Sequence, residues 1–188
     1  MRIEWRLIAV VLLLGITIGA EAARAQGQSP SEAAPAGILV DGIIECGSGY
    51  SSHELYDAKI TLVEFLRGDQ AWERIQEADK SSEPPKPGFQ YILARIKFTY
   101  LARGAPGDCT QELRGRQFVA LASNGKKYDS PELKLPKPEL GGTLRAGETL
   151  EGWVAFSVPT EDEKPLMTFR VDETGAVQHG GDMWFRLY

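Results

Sequence analysis

Residues 89–101 (FQYILARIKFTYL) constrain the fold of this 188-residue chain more than any other stretch. Ile92, Ala94, Ile96, Phe98 and Tyr100 fall on one parity, and Arg95, Lys97 and Thr99 on the other. Side chains of a strand point alternately to its two faces, so this period of two demands a long strand with one face in a core. A helix would scatter the same residues around its axis. The same rhythm recurs in shorter form at 38–45, 117–123, 166–171 and 183–188, and more fully at 149–158. In the last of these, Leu150, Gly152, Val154, Phe156 and Val158 share a face. At 58–66, Ile60, Leu62 and Glu64 alternate against Thr61, Val63 and Phe65.

Only residues 69–79 (DQAWERIQEAD) break the pattern. They carry helix formers, with Ala71, Ile75 and Ala78 on one stripe and Asp69 placed to cap the start. The Pro-rich loop 81–88 ends the helix. The 20 Gly and 11 Pro residues supply turns throughout. Asn124-Gly125 is a hairpin signal, because both residues tolerate positive φ. About seven short strands with frequent turns, and no alternation of strand and helix, predict an all-β fold. The expected form is an antiparallel immunoglobulin-like β-sandwich with one short helix between strands, spanning residues 38–188. Ile92, Ile96, Phe98, Leu150, Val154, Phe156 and Phe169 are its expected core.

Residues 1–25 read as a signal peptide. Arg2 and Arg6 precede an uncharged apolar run at 7–20, too short to span a bilayer comfortably. Ala23-Arg24-Ala25 supplies a cleavage pattern before Gln26, and Ala20-Glu21-Ala22 offers a second. No cysteine follows either position, so lipidation is not indicated, and no second long apolar run follows. The chain is therefore expected to be secreted or periplasmic, without a stable membrane span after cleavage. Residues 26–37 (QGQSPSEAAPAG) are small, polar and proline-containing, and read as a disordered tether.

The formal charge is −5. Loss of three basic and two acidic residues with the leader makes it −6. That balance disfavours nucleic acid, whose phosphates need a basic surface. Cys46 and Cys109 are the only cysteines. In an exported chain they are expected to form a disulfide rather than act as reactive thiols. Chain-entropy reasoning gives such a cross-link a stabilisation of roughly 4 kcal/mol.

Several stretches together resemble a known group. They are Arg67-Gly68-x-x-Ala71-Trp72, then Pro87-Gly88-Phe-Gln-Tyr91-Ile-Leu, and then Phe118-Val-Ala-Leu-Ala-Ser-Asn124-Gly125-Lys-Lys-Tyr128. Gly147-Glu-Thr-Leu-Glu-Gly152-Trp153-Val-Ala-Phe156-Ser-Val-Pro159 and the closing Trp184-Phe-Arg-Leu187 follow. Their order resembles the secreted, telokin-like immunoglobulin-fold domains of bacteria, a family of unknown function. The secreted immunoprotective antigen of mycobacteria is a fold relative of that family. The likeness covers about residues 58–188 and is most specific at 147–159. It implies a fold and no catalytic residues. The first strand and the cysteine pair have no counterpart in it. Read physically, Gly147 serves a tight turn and Gly152 a close approach by neighbouring backbone or a ring. Trp153 covers Gly152 or faces a groove, and Pro159 ends the strand.

Candidate chemistry is sparse. Ser48 lies in Gly47-Ser48-Gly49 with His53 nearby, but Cys46 and Tyr50 stand where a hydrolase elbow needs glycine. His53, His179, Met167 and Met183 are ligand types that suit copper, yet they are scattered. Glu161-Asp162-Glu163 lacks the spacing of a calcium loop and reads as a solvated turn, as His179 before Gly180-Gly181 reads as a loop residue. No catalytic, cofactor or metal site is assigned. Trp72, Tyr91, Trp153 and Trp184 are candidate partner contacts as well as core. The expected function is an exported, non-catalytic module for a protein or envelope ligand, using loops 46–56, 81–88 and 177–182. A small copper carrier or a hydrolase is the alternative.

Exported material is expected to begin at Gln26. Mass spectrometry of the intact secreted protein tests this, and a retained Met1 contradicts it.

Overall fold

The computed structural model describes residues 26–46, 54–104, 108–171, 177–179 and 181–188, with the side chains of Val177 and Gln178 left aside. The leader at 1–25, Ser48 and His53 lie outside the described residues. In chain order the strands are β1 (Leu39–Cys46), β2 (Glu54–Arg67), β3 (Phe89–Ala102), β4 (Gln111–Arg114), β5 (Phe118–Leu121), β6 (Gly141–Leu144), β7 (Thr149–Pro159), β8 (Leu166–Phe169), β9 (Val177–His179) and β10 (Met183–Arg186). Helix α1 (Asp69–Ala78) lies between β2 and β3, which nonetheless pair antiparallel. The strands form three antiparallel sheets with orders β7-β3-β2-β1-β9, β10-β8-β5 and β4-β6.

β3 is the centre of the largest sheet. It pairs with β2 on one side and with β7 on the other, Ile92 opposite Phe156 and Ile96 opposite Gly152. Its even-numbered side chains from Ile92 to Tyr100 are all fully buried. They share a core with Phe118 of β5, Met167 and Phe169 of β8, and Phe185 of β10. Leu113 of β4 and Leu144 of β6 close it from the two-stranded sheet. Phe169 lies 5.4 Å from Phe98 and 5.1 Å from Phe118, ring centre to ring centre. Of the expected core residues, Leu150 alone is only half-buried. It sits near the end of its sheet, its methyl groups against Gly142 of β6.

The opposite face of β3 and β7 is also covered, though only in part. Ala71 and Ile75 of α1 pack with Tyr91, Leu93, Trp153 and Ala155 in a second apolar cluster. The helix begins after Gly68, whose φ of 56° favours glycine. Asp69 is its first residue and makes no capping bond, contrary to the capping role expected of it.

The expected parity of β2 fails after Leu62. Leu62 faces Ile96, but Glu64 faces Arg95, so Val63 is an extra residue in the ladder. A bulge of this kind reverses which side later residues face. Glu64 therefore turns outward to pair with Arg95 at 3.1 Å, and Phe65 turns to the main core. Asn124-Gly125 does turn the chain, with the Gly125 N–H donating to the Ala122 carbonyl at 2.9 Å. Only the glycine takes positive φ, so the turn uses one left-handed residue where two were expected.

Residues 26–37, read from composition as a disordered tether, run along β10. Ala33 and Ala34 are buried. The Ala34 N–H donates to the Trp184 carbonyl at 2.9 Å, and the Arg186 N–H to the Ala34 carbonyl at 2.8 Å. Small side chains allow this close approach, and the otherwise open edge of β10 supplies the partners. Cys46 and Cys109 are disulfide-bonded with Cα atoms 6.3 Å apart, tying the end of β1 to the approach to β4.

Gly147 takes φ of 91°, and its N–H donates to the Tyr100 carbonyl at 2.7 Å in the turn into β7. Gly152 is the tighter constraint. A Cβ there would lie 2.5 Å from the Leu140 nitrogen, inside backbone that cannot yield. Gly152→Ala is expected to cost about 1–3 kcal/mol by overpacking. Phe156→Ala is expected to cost about 3–5 kcal/mol. Denaturant titrations check both, and a loss under about 1 kcal/mol for Phe156→Ala would contradict the core assignment.

Candidate functional site

The ends of β3 and β7 nearest α1 carry a polar groove. The 81–88 loop forms one wall and residues 129–134 the other, with Phe89, Tyr91 and Ser157 between them. The groove encloses about 460 Å³, within the usual range for a small-ligand site. Phe89 is 40% exposed, a large apolar ring left open to solvent. The hydroxyls of Ser81 and Ser82, the carboxylates of Asp79, Glu83, Asp129 and Glu132, and the amines of Lys86 and Lys134 surround it.

Local sequence explains the walls. Asp79 follows α1, and its carboxylate accepts from the Ser81 hydroxyl at 2.7 Å and the Ser81 N–H at 3.0 Å. These bonds hold the Asp79 carboxyl below its usual pKa. The Tyr91 hydroxyl donates to the Glu83 carbonyl at 3.2 Å and pins the middle of the loop. Burial, with the Glu83 carboxylate second, pushes the Tyr91 phenol up. The Gly88 carbonyl accepts from the Thr160 N–H at 3.0 Å, joining the loop to the end of β7.

The second wall belongs to a strap, residues 129–140, laid along β7. It is held at one end by the Ser157 N–H donating to the Asp129 carbonyl at 2.9 Å. At the other end the Trp153 N–H donates to the Pro138 carbonyl at 2.9 Å, and the Leu140 N–H to the Trp153 carbonyl at 3.1 Å. Between these points Leu133 and Leu135 pack onto the outer cluster.

A polar brace stands behind the strap. Arg67 donates to the carbonyls of Asp162 at 2.9 Å, Glu163 at 3.1 Å and Leu187 at 3.3 Å. The Tyr128 hydroxyl donates to Asp162 Oδ2 at 2.7 Å. Asp162, read as part of a solvated acidic turn, thus has a structural job.

The groove gathers only one of the three expected recognition loops. Loop 81–88 lies in it. In the 46–56 segment, residues 47–53 lie outside the described residues, and the remainder is strand. Tyr56 is buried and stacks on Tyr100 at 4.5 Å, so it is no loop residue. In the 177–182 segment, His179 belongs to β9, opposite Ile43, and pairs with Glu45, which corrects its reading as a loop residue. Of the other copper candidates, Met167 and Met183 are core, Met183 lying against Gly42. No group of three or more His, Cys, Asp or Glu side chains able to hold a metal occurs among the described residues. Of the four aromatics, Tyr91 and Trp153 are buried, and Trp72 and Trp184 are half-buried. Trp72 lies 6.1 Å from Tyr91, as support behind the groove.

Sequence reasoning missed the strap altogether. Its signals were Leu133 and Leu135 alternating between Pro131 and Pro136, too short a pattern to read as an element.

No protein family and no curated protein sequence matches this chain. Among solved structures, a candidate lipoprotein of Bacillus subtilis, ycdA, is similar with a TM-score of 0.50 and 12% identity. The likeness covers 69% of this chain and 35% of that one, so the chain spans about a third of the length of that protein. The yjhA protein of the same organism shows a TM-score of 0.41 at 11% identity, over 82% of this chain and 99% of that one. The first likeness places the β-rich fold beside that of a bacterial protein and shows no activity.

Burial, with the Asp162 hydrogen bond second, raises the Tyr128 phenol to about 12. Because the folded value exceeds the ordinary one near 10, the associated stability is present below about pH 10. It is lost as pH rises through about 12. A tyrosine absorbance titration should show one late-ionising phenol fewer in Tyr128→Phe.

Proposed function

We propose that the chain is an extracytoplasmic binding module of immunoglobulin-like architecture, without catalytic turnover, that takes a protein or envelope ligand in the groove beside the 81–88 loop. The observation that carries this is the groove itself. It combines an open aromatic ring, hydroxyls and both signs of charge on walls tied down by main-chain hydrogen bonds. Rigid walls of mixed chemistry lower the ordering cost of binding and let a few polar groups set orientation.

The same lining argues for binding over chemistry. Ser81 is hydrogen-bonded to a carboxylate, but no imidazole stands beside it among the described residues, and a serine nucleophile needs a base in reach. The disulfide supports an oxidising compartment, as does the leader-like start of the chain. The acidic net charge and the four groove carboxylates favour a neutral or basic ligand.

The test is affinity capture from the source's envelope and culture fractions, beside esterase, peptidase and glycosidase assays. A partner is expected that Phe89→Ser releases, while the melting temperature stays within a few degrees. A reproducible hydrolytic activity abolished by Ser48→Ala, His53→Ala or Ser81→Ala would overturn the reading.

A further inference from the structure

The edge of β7 carries a second feature, which shares residues 131–133 with the groove. Trp153, Ala155 and Ser157 turn their main-chain groups away from β3 and toward the free edge, as the bonds of Trp153 and Ser157 to the strap show. The strap takes up Ser157 and Trp153 and skips Ala155. Among the described residues, no donor or acceptor pairs with the outward N–H and carbonyl of Ala155.

The sequence gives the reason. With Asp129 antiparallel to Ser157, residue 131 falls opposite Ala155. That residue is proline, which has no N–H to donate. The chain leaves the edge there and returns only at Pro138. The detour leaves a recess of about 330 Å³, lined by Arg116, Pro131, Leu133, Glu139, Trp153 and Ala155 among others.

Ala155 is 6% exposed as a whole residue, and the recess is the space that its outward N–H and carbonyl face. A buried main-chain donor and acceptor left unpaired is costly and rare. One water satisfies such groups but fills only a small part of the space, since a water molecule occupies about 30 Å³. The lining is mixed: Trp153, Leu133, Leu135 and Leu140 supply apolar surface, and Arg116, Glu132 and Glu139 supply charge.

We infer that this recess is a binding site for an extended peptide, one residue of which completes an antiparallel pair with Ala155. Its N–H donates to the Ala155 carbonyl, and its carbonyl accepts from the Ala155 N–H, the exchange that joins opposed residues in an antiparallel ladder. The apolar side chain of that residue lies on the same face as Ala155, against Trp153 and Leu133. The strap bridges at Ser157 and Trp153 limit the pairing to one residue, which fixes the register of the peptide and keeps the contact weak. This is strand addition at a sheet edge, reduced to a single step.

The test uses ¹⁵N-labelled exported protein with its disulfide intact, and two small probes. One is N-acetyl-leucine N′-methylamide. The other is the same molecule methylated on the leucine nitrogen, which removes the pairing N–H. The first should shift the Ala155 amide proton downfield in a saturable way at millimolar concentration. The second should bind about tenfold more weakly, the worth of one net hydrogen bond. Ala155→Pro removes the outward N–H and no ladder bond to β3. It should abolish the response read at the Trp153 indole.

Pro131→Ala restores a donor to the strap opposite Ala155. It should weaken probe binding several-fold without lowering the melting temperature. That variant and the probe pair keep the test decisive if Ala155→Pro does not fold. No shift at Ala155, equal binding of both probes, or shifts confined to residues 81–91 would overturn the inference. The last outcome would leave the groove reading standing.

Discussion

The approach of backbone to backbone at Gly152 is the contact on which the strap and the two recesses beside it depend. With no side chain at 152, residues 139 and 140 lie directly on β7, at a distance no Cβ would permit. That contact anchors the returning end of the strap through Trp153. The outgoing end is anchored at Ser157, about four residues along the same strand. Both recesses on the outer face follow from this arrangement. Residues 131–133 contribute to each, so one short segment is a wall of the groove and a wall of the edge recess.

The central sheet makes such a strap possible because it buries the two faces of β3 unequally. The inner face is closed along its length by the other two sheets, and the apolar area removed from water there, at about 25 cal/mol per Å², is the main stabilising term. The outer face is covered only where α1, Leu133 and Leu135 reach it. Further along, it bears cross-strand pairs such as Arg95 with Glu64 and Glu151, and Thr99 with Thr149 at 2.8 Å. Partly exposed pairs of this kind contribute at most about 1 kcal/mol each. The bulge at Val63 marks the transition. Beyond it, Phe65 serves the inner core and Leu66 the outer cluster.

The brace around Arg67 shows how polar groups support this end. Its guanidinium gathers main-chain carbonyls from the 160s turn and from Leu187, sites that an apolar contact could not satisfy. Tyr128 adds the preceding end of the strap to the same turn through Asp162. The groove is therefore framed by residues 88, 129, 157 and 160, each held by a main-chain bond.

Much of this was legible in the residues. The long alternation of β3, the facing of β7, the apolar stripe of α1, the close approach at Gly152 and the pairing of Cys46 with Cys109 all follow from period, backbone freedom or cysteine arithmetic. Those signals are local, or involve so few candidates that position is immaterial. The parity switch after Leu62, the docking of residues 26–37 on β10 and the strands at 111–114, 141–144 and 177–179 were not legible. A bulge leaves no mark on composition, small residues carry no burial signal, and strands of three or four residues are too short for a period to show. The recesses belong to the same class. The sequence determined that Pro131 lacks a donor and that Phe89 is aromatic. That the first falls opposite Ala155 and the second opens into a polar groove was decided by tertiary structure, because register between distant segments is set by packing against a shared strand and not by either segment alone.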